Sequence, residues 1–106
     1  MKDEDFFIPH GEQMSDILDR LYSTIESRKT NAPADSYTAK LFAAGENEIV
    51  KKVGEEAIEV IVAAKGQSDE RIVSEMADLM YHALVLLASR GIAWRAVEEE
   101  LARRVR

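Results

Sequence analysis

The residues best able to do chemistry fall in two acidic groups. The first is Glu55-Glu56-Ala57-Ile58-Glu59, and after fifteen intervening residues comes Glu75-Met76-Ala77-Asp78. On a helix of roughly 100° per residue, with Glu56 as zero, Glu59 lies at about −60°, Lys52 at about −40° and Glu55 at about −100°. These four share one strip of a segment whose other positions include Ile49, Val50, Val53, Ala57, Ile58, Val60, Ile61, Val62 and Ala63. Glu75 and Asp78, three apart, share a helix face, with His82 one turn further on. Two antiparallel helices would set Glu55, Glu56 and Glu59 opposite Glu75 and Asp78.

Four or five carboxylates held away from bulk water must be paired, coordinated or protonated, because a low dielectric penalises uncompensated charge. A hard divalent cation meets that demand. Magnesium takes oxygen ligands in octahedral geometry and is commonly held by a few carboxylates together with substrate phosphates. The chain has no cysteine and two histidines, which argues against thiolate or zinc-type sites. A ferritin-like di-iron bundle needs Glu-x-x-His, whereas His82 stands four after Asp78 and seven after Glu75. The plain alternative is a solvated acidic surface, since Lys51–Glu55 and Lys52–Glu56 are i, i+4 pairs that support any helix. His82 reads either as a hydrogen-bonded packing residue or as a group serving the site. Trp94 reads as a core or interface anchor, and Met14, Met76 and Met80 as packing.

Five helices are expected to carry these residues. Met14, Ile17, Leu18, Leu21 and Ile25 recur at three- and four-residue spacing, which predicts a helix over about 12–29. The breaker cluster Thr30–Ser36 is a loop, and Asp35 or Ser36 caps a short helix at Tyr37–Ala43 with Gly45 near its end. The segment from about 46 to 65 is apolar nearly all round and is expected to be buried on most sides. Gly66-Gln67-Ser68 makes a turn, after which Ser68 or Asp69 caps a helix over about 69–89 that Gly91 stops. Its apolar face is read as Ile72, Met76, Leu79, Met80, Ala83, Leu86 and Leu87. A last helix over about 93–105 presents Val97, Leu101 and Val105, and its basic end, Arg103, Arg104 and Arg106, complements the helix dipole. The fold class is all-α: a compact bundle of four to five helices in a single domain over 1–106, with 1–10 a loose arm.

The whole-chain balance limits the function. With 20 acidic against 14 basic residues the net charge is −6, which argues against a general nucleic-acid binder but not against a nucleotide handled through metal. The apolar start Phe6-Phe7-Ile8 is too short for a signal peptide, and no run is expected to span a membrane, so a cytoplasmic location is expected. A chain of 106 residues buries a modest fraction of its surface, and pairing with a second copy would cover more apolar area.

The acidic pattern resembles the signature of the all-α nucleotide pyrophosphatase superfamily, which includes the MazG-type house-cleaning enzymes. Three further blocks are similar to one branch, the phosphoribosyl-ATP pyrophosphatase family: Ser36-Tyr37-Thr38-Ala39-Lys40-Leu41, Lys51-Lys52-Val53-Gly54-Glu55-Glu56-Ala57 and Ala77-Asp78-Leu79-Met80-Tyr81-His82. Leu18-Asp19-Arg20-Leu21 and the Val97…Arg104 end also fit, so the resemblance covers roughly 15–105. It implies a magnesium-dependent hydrolase that cleaves the α–β phosphoanhydride of phosphoribosyl-ATP to phosphoribosyl-AMP and pyrophosphate, in histidine biosynthesis. It further implies Glu56, Glu59, Glu75 and Asp78 as magnesium ligands. Glu55 either completes that shell or positions the attacking water. Lys40, Lys51 and Lys52 are the implied phosphate contacts, with His82 on the substrate side. A homodimer completing the bundle is implied as well. Some relatives carry phosphoribosyl-AMP cyclohydrolase fused to this domain; its cysteine-based zinc site has no cysteines here, so a stand-alone form is expected. Two rivals remain: a house-cleaning nucleoside triphosphate pyrophosphatase, and a non-enzymatic helical interaction module.

Overall fold

The computed structural model describes residues 17–105. The loose arm and Met14 of the sequence reading, and the first turn expected from about residue 12, lie outside them. Five helices follow one another: α1 Ile17–Ser27, α2 Tyr37–Ala44, α3 Glu46–Gly66, α4 Asp69–Ser89 and α5 Trp94–Arg104. No strand occurs among the described residues. The all-α expectation and the order of elements hold. α1 ends at Ser27 rather than about residue 29, because Arg28, Lys29 and Thr30 tighten into turns on Ile25, Glu26 and Ser27.

Local chemistry sets the boundaries. Ser36 is the N-cap of α2, its hydroxyl accepting from the Ala39 N–H at 3.1 Å, and Ser68 does the same for Arg71 at 3.2 Å on α4. Gly45 serves two helices at once. Its N–H closes α2 on the Leu41 carbonyl at 3.1 Å, and its own carbonyl accepts from Ile49 at 3.2 Å to open α3. That double duty requires a φ of 100°, a conformation that glycine adopts without penalty. Gly91, at φ 70°, ends α4 and lets the Ile92 N–H return to the Leu87 carbonyl at 2.9 Å.

α3 and α4, of 21 residues each, are joined only by Gln67 and Ser68 and lie side by side as a hairpin. α1 packs on α4, α2 on α3, and α5 on α1. The buried core is Leu21, Ile25, Leu41, Ile49, Tyr81, Leu84, Val85 and Ala88, with Leu18, Tyr22, Tyr37, Phe42 and Trp94 packed against it. The Tyr22 hydroxyl lies 2.5 Å from the Ile92 carbonyl and 3.0 Å from Glu26 Oε2, tying α1 to the connection before α5. Burial, then the Glu26 carboxylate, push this phenol up to about 12.

Three expectations about faces need correction. α4 turns Tyr81, His82, Leu84, Val85 and Ala88 into the core, leaving Met76 exposed and Ile72, Leu79, Met80, Ala83, Leu86 and Leu87 half-buried. Apolar residues occupy both flanks of this helix, so periodicity cannot say which flank meets its own chain. α3 buries only Ile49 and Ala63; Ile58 and Ile61 remain 61% and 60% exposed. Among the described elements it packs chiefly against α4 and α2, which leaves its other flank open. The stripe expected on the last helix is covered only in part: Val97 is half-buried, while Leu101 on α5 and Val105, just past its end, are exposed. A fourth point concerns membranes. By length and composition alone α4 is long and apolar enough to cross one, although the sequence reading expected no such run. Here it is the central core helix, with Glu75 and Asp78 on it.

Leu84→Ala should cost about 2–5 kcal/mol through lost burial and a residual cavity. Ser68→Ala should cost about 1 kcal/mol through the lost cap. Urea unfolding followed by circular dichroism measures both, and a Leu84→Ala loss below that of Ser68→Ala would contradict the core described.

Candidate metal centre

The α3–α4 hairpin brings three carboxylates together. Oxygens of Glu56, Glu75 and Asp78 all lie within 4.8 Å of one another. Glu75 is only 6% exposed, and Glu56 and Asp78 are half-buried. The i, i+3 spacing of Glu75 and Asp78 places both on the α4 flank that faces Glu56. Burial, then the charges of Asp78, Glu75 and Glu59, raise the Glu56 carboxyl above its ordinary range, while Lys52 opposes them. Glu75 has a cation of its own: the Arg71 guanidinium, one turn earlier on α4, pairs with its Oε2. Sequence reasoning passed over Arg71, although its i, i+4 spacing to Glu75 was legible.

The other candidates take different places. Glu59 is exposed and outside the converging trio, one turn along α3 from Glu56. Glu55 is exposed and pairs with Lys52, whose Nζ lies 3.5 Å from its carboxylate. Lys51 is exposed and 3.9 Å from Glu48, and Lys40 is exposed on α2. His82 is 2% exposed and inside the core. Its Nδ1 lies 2.8 Å from the Asp78 carbonyl oxygen and its Nε2 3.0 Å from the Tyr37 hydroxyl. Burial is the main influence holding its pKa below the ordinary histidine value. In this position His82 supports the backbone of Asp78 and offers neither ring nitrogen to solvent. A concavity of about 450 Å³ lies elsewhere, lined by Arg28, Lys29, Thr30, Ala32, Ala39, Phe42 and Ala43, and none of the acids lines it.

The donor set suits a hard divalent ion. Three carboxylates, one of them nearly buried, offer only oxygen and would leave positions for water and phosphate oxygens. Among the described residues the centre lies between the two longest helices of an all-helical fold, and its oxygen donors could hold a divalent ion against phosphate oxygens. The sequence profile of the phosphoribosyl-ATP pyrophosphohydrolase family matches residues 18–105. Similar proteins include the phosphoribosyl-ATP pyrophosphatase of Trichlorobacter lovleyi, 56% identical over 88 residues, spanning 83% of this chain and 82% of that one. The phosphoribosyl-ATP pyrophosphatase of Metallosphaera sedula is 48% identical over 93 residues, spanning 88% of this chain and all of that one. The chain belongs to the phosphoribosyl-ATP pyrophosphohydrolase family.

The raised Glu56 carboxyl has a stability consequence in the metal-free protein. The folded state holds that proton more tightly than the unfolded chain does. Stability from this group is therefore full at low pH and is lost as pH rises from the unfolded value through the folded one. Glu56→Gln removes the loss. Without divalent metal the variant should be more stable than the parent at pH 8, with the gap narrowing toward pH 4. Urea titrations in EDTA at several pH values test this, and a less stable variant at pH 8 would refute the account.

Proposed function

We propose that this protein hydrolyses the α–β phosphoanhydride of phosphoribosyl-ATP, releasing phosphoribosyl-AMP and pyrophosphate in histidine biosynthesis, with magnesium bound at the carboxylate centre. The observation that carries the reading is the convergence of Glu56, Glu75 and Asp78 between α3 and α4, in a chain of this family. The names borne by the relatives, phosphoribosyl-ATP pyrophosphatase in each case, support the substrate. A biosynthetic role of this kind fits a cytoplasmic location.

Glu56, Glu75 and Asp78 would hold the ion, and Glu59, one turn from Glu56, would reach it through a change of rotamer. Bound magnesium would neutralise phosphate charge, polarise the scissile bond and lower the pKa of a coordinated water. Lys52, whose charge acts on Glu56, would serve as a phosphate contact, as would the exposed Lys51 and Lys40. Glu55, which is exposed and pairs with Lys52, would orient the attacking water. Positioning and charge neutralisation carry most of the catalysis in such chemistry. His82 serves the substrate side indirectly, by steadying Asp78.

The working unit in this reading is a homodimer. Ile58, Ile61 and Val62 on α3 and Val73 and Met76 on α4 are large apolar residues left exposed by a single chain. A second copy would cover them and give α3 the burial its composition demands.

Two outcomes are expected. Pyrophosphate release from phosphoribosyl-ATP should require magnesium and far exceed release from ATP. Glu56→Gln and Asp78→Asn should each lower kcat at least about 100-fold while keeping the helical spectrum, given the charge each removes from the centre. Near-normal turnover in either variant would sink the metal assignment, and a preference for ordinary triphosphates would move the protein to a house-cleaning role. Ile61→Asp should shift sedimentation from dimer toward monomer; a wild-type protein that sediments as a monomer would refute the pairing.

A further inference from the structure

One flank of α4 carries Arg71, Glu75 and Asp78 at spacings of four and three, so the three side chains follow one another along a single face. Glu75 is the buried member of the acidic trio, with Glu56 on α3 and Asp78 half-buried beside it. The Arg71 guanidinium bonds Glu75 Oε2. Among the described residues this is the one ion pair made to any of the three carboxylates. Lys52 lies 3.5 Å from Glu55, and Lys51 3.9 Å from Glu48.

The two ends of this pair sit in different surroundings. The Glu75 side chain is 8% exposed, whereas the Arg71 side chain is 52% exposed. A buried carboxylate stripped of its partner keeps its charge with little water to stabilise it, so this pair matters to the metal-free fold more than a surface pair does. The arginine, reaching over from one turn earlier on a long stem, has solvent to swing into. A divalent ion held by Glu56, Glu75 and Asp78 would draw on the same Glu75 charge, and it would repel a guanidinium seated on that carboxylate. Two cations thus have claims on one group, and the arginine is the one that can withdraw into water and stay attached.

We infer that Arg71 is the resident counter-ion of the centre: it holds Glu75 in the metal-free protein, yields it to the divalent ion, and so sets the affinity of the site for magnesium. The inference rests on the magnesium site proposed above and adds a residue that lies outside the acidic pattern. It also accounts for a centre that stands assembled without metal. Glu56 and Asp78 are partly in solvent, but Glu75, inside the protein, needs a cation at all times, and the arginine supplies it whenever the ion is away. Weaker metal binding is the consequence, because the ion must displace a partner as well as enter the site.

The test is calorimetric magnesium binding, together with thermal unfolding in EDTA and in magnesium, on the full chain and its Arg71→Gln, Arg71→Lys and Glu75→Gln variants. In EDTA, Arg71→Gln should lower Tm by about 5 °C or more, the effect of stranding a buried carboxylate. Saturating magnesium should recover most of that loss. A variant that folds only with magnesium present is the extreme of the same result. Arg71→Gln should bind magnesium roughly tenfold more tightly than the parent, whereas losing a residue that merely supports the fold would weaken binding or leave it unchanged. Arg71→Lys keeps a charge at this position and should lie between the two. In the Glu75→Gln background, Arg71→Gln should no longer lower the metal-free Tm. Parental or weaker magnesium binding by Arg71→Gln, alongside lost binding in Glu56→Gln, would overturn the inference and leave the magnesium site standing. An undiminished fall in Tm in the Glu75→Gln background would do the same. A parent protein that binds no magnesium would overturn both.

Discussion

Mutual repulsion among carboxylates organises this molecule. Glu56, Glu75 and Asp78 stand within 4.8 Å of one another on two helices that are otherwise largely apolar. Burial, and then this crowding, raise the Glu56 carboxyl, and the arrangement calls for a cation. In the protein alone, the answer to that demand is partial: Arg71 takes Glu75, and Lys52 moderates Glu56. The hairpin is built to hold the acids in place against this cost. Its turn is two residues long, Ser68 caps the second helix, and the core residues Tyr81, Leu84, Val85 and Ala88 anchor α4 beyond the acidic turn. A phosphate-cleaving enzyme gains from a centre assembled in advance, because the charges need not be gathered during the reaction.

Around this centre the fold spends its few buried polar groups deliberately. Ser36, Thr38, Glu75 and His82 are the buried polar residues among those described, and all of them lie on α4, on α2 or at its cap. Ser36 fixes where α2 begins, Thr38 bonds the Tyr81 hydroxyl, and His82 joins Tyr37 to Asp78. These bonds tie the α2 start to the middle of α4, over 40 residues away in the chain. Buried polar groups that are satisfied in this way specify one packing where apolar contacts alone would allow several.

Several large apolar residues stay exposed on the hairpin. Ile58 and Ile61 on α3, with Val73 and Met76 on α4, lie on flanks of the hairpin that the other described helices leave open. The mistaken expectations about α3 and α4 share this origin. Periodicity marks which residues are apolar, and both helices are apolar on more than one flank, so nothing local distinguishes the flank meeting α1 and α2 from the flank left open.

Much of the molecule was nevertheless legible beforehand. The five helices, the Ser36 and Ser68 caps and the Gly45 and Gly91 stops follow from local preferences of backbone and side chain, which a single sequence carries. The acidic spacing also determined that Glu75 and Asp78 share a face, because helix geometry alone dictates it. What only the tertiary structure decided is which acids meet: Glu56 joins the α4 pair while Glu59 and Glu55 stay in solvent. It likewise decided that His82 looks inward to Tyr37, that Arg71 is the partner of Glu75, and that the open flank of α3 is the Ile58 and Ile61 side. Each of these depends on the rotation of one helix against another. That rotation is set by the sum of packing over the whole core, and no short stretch of sequence encodes it.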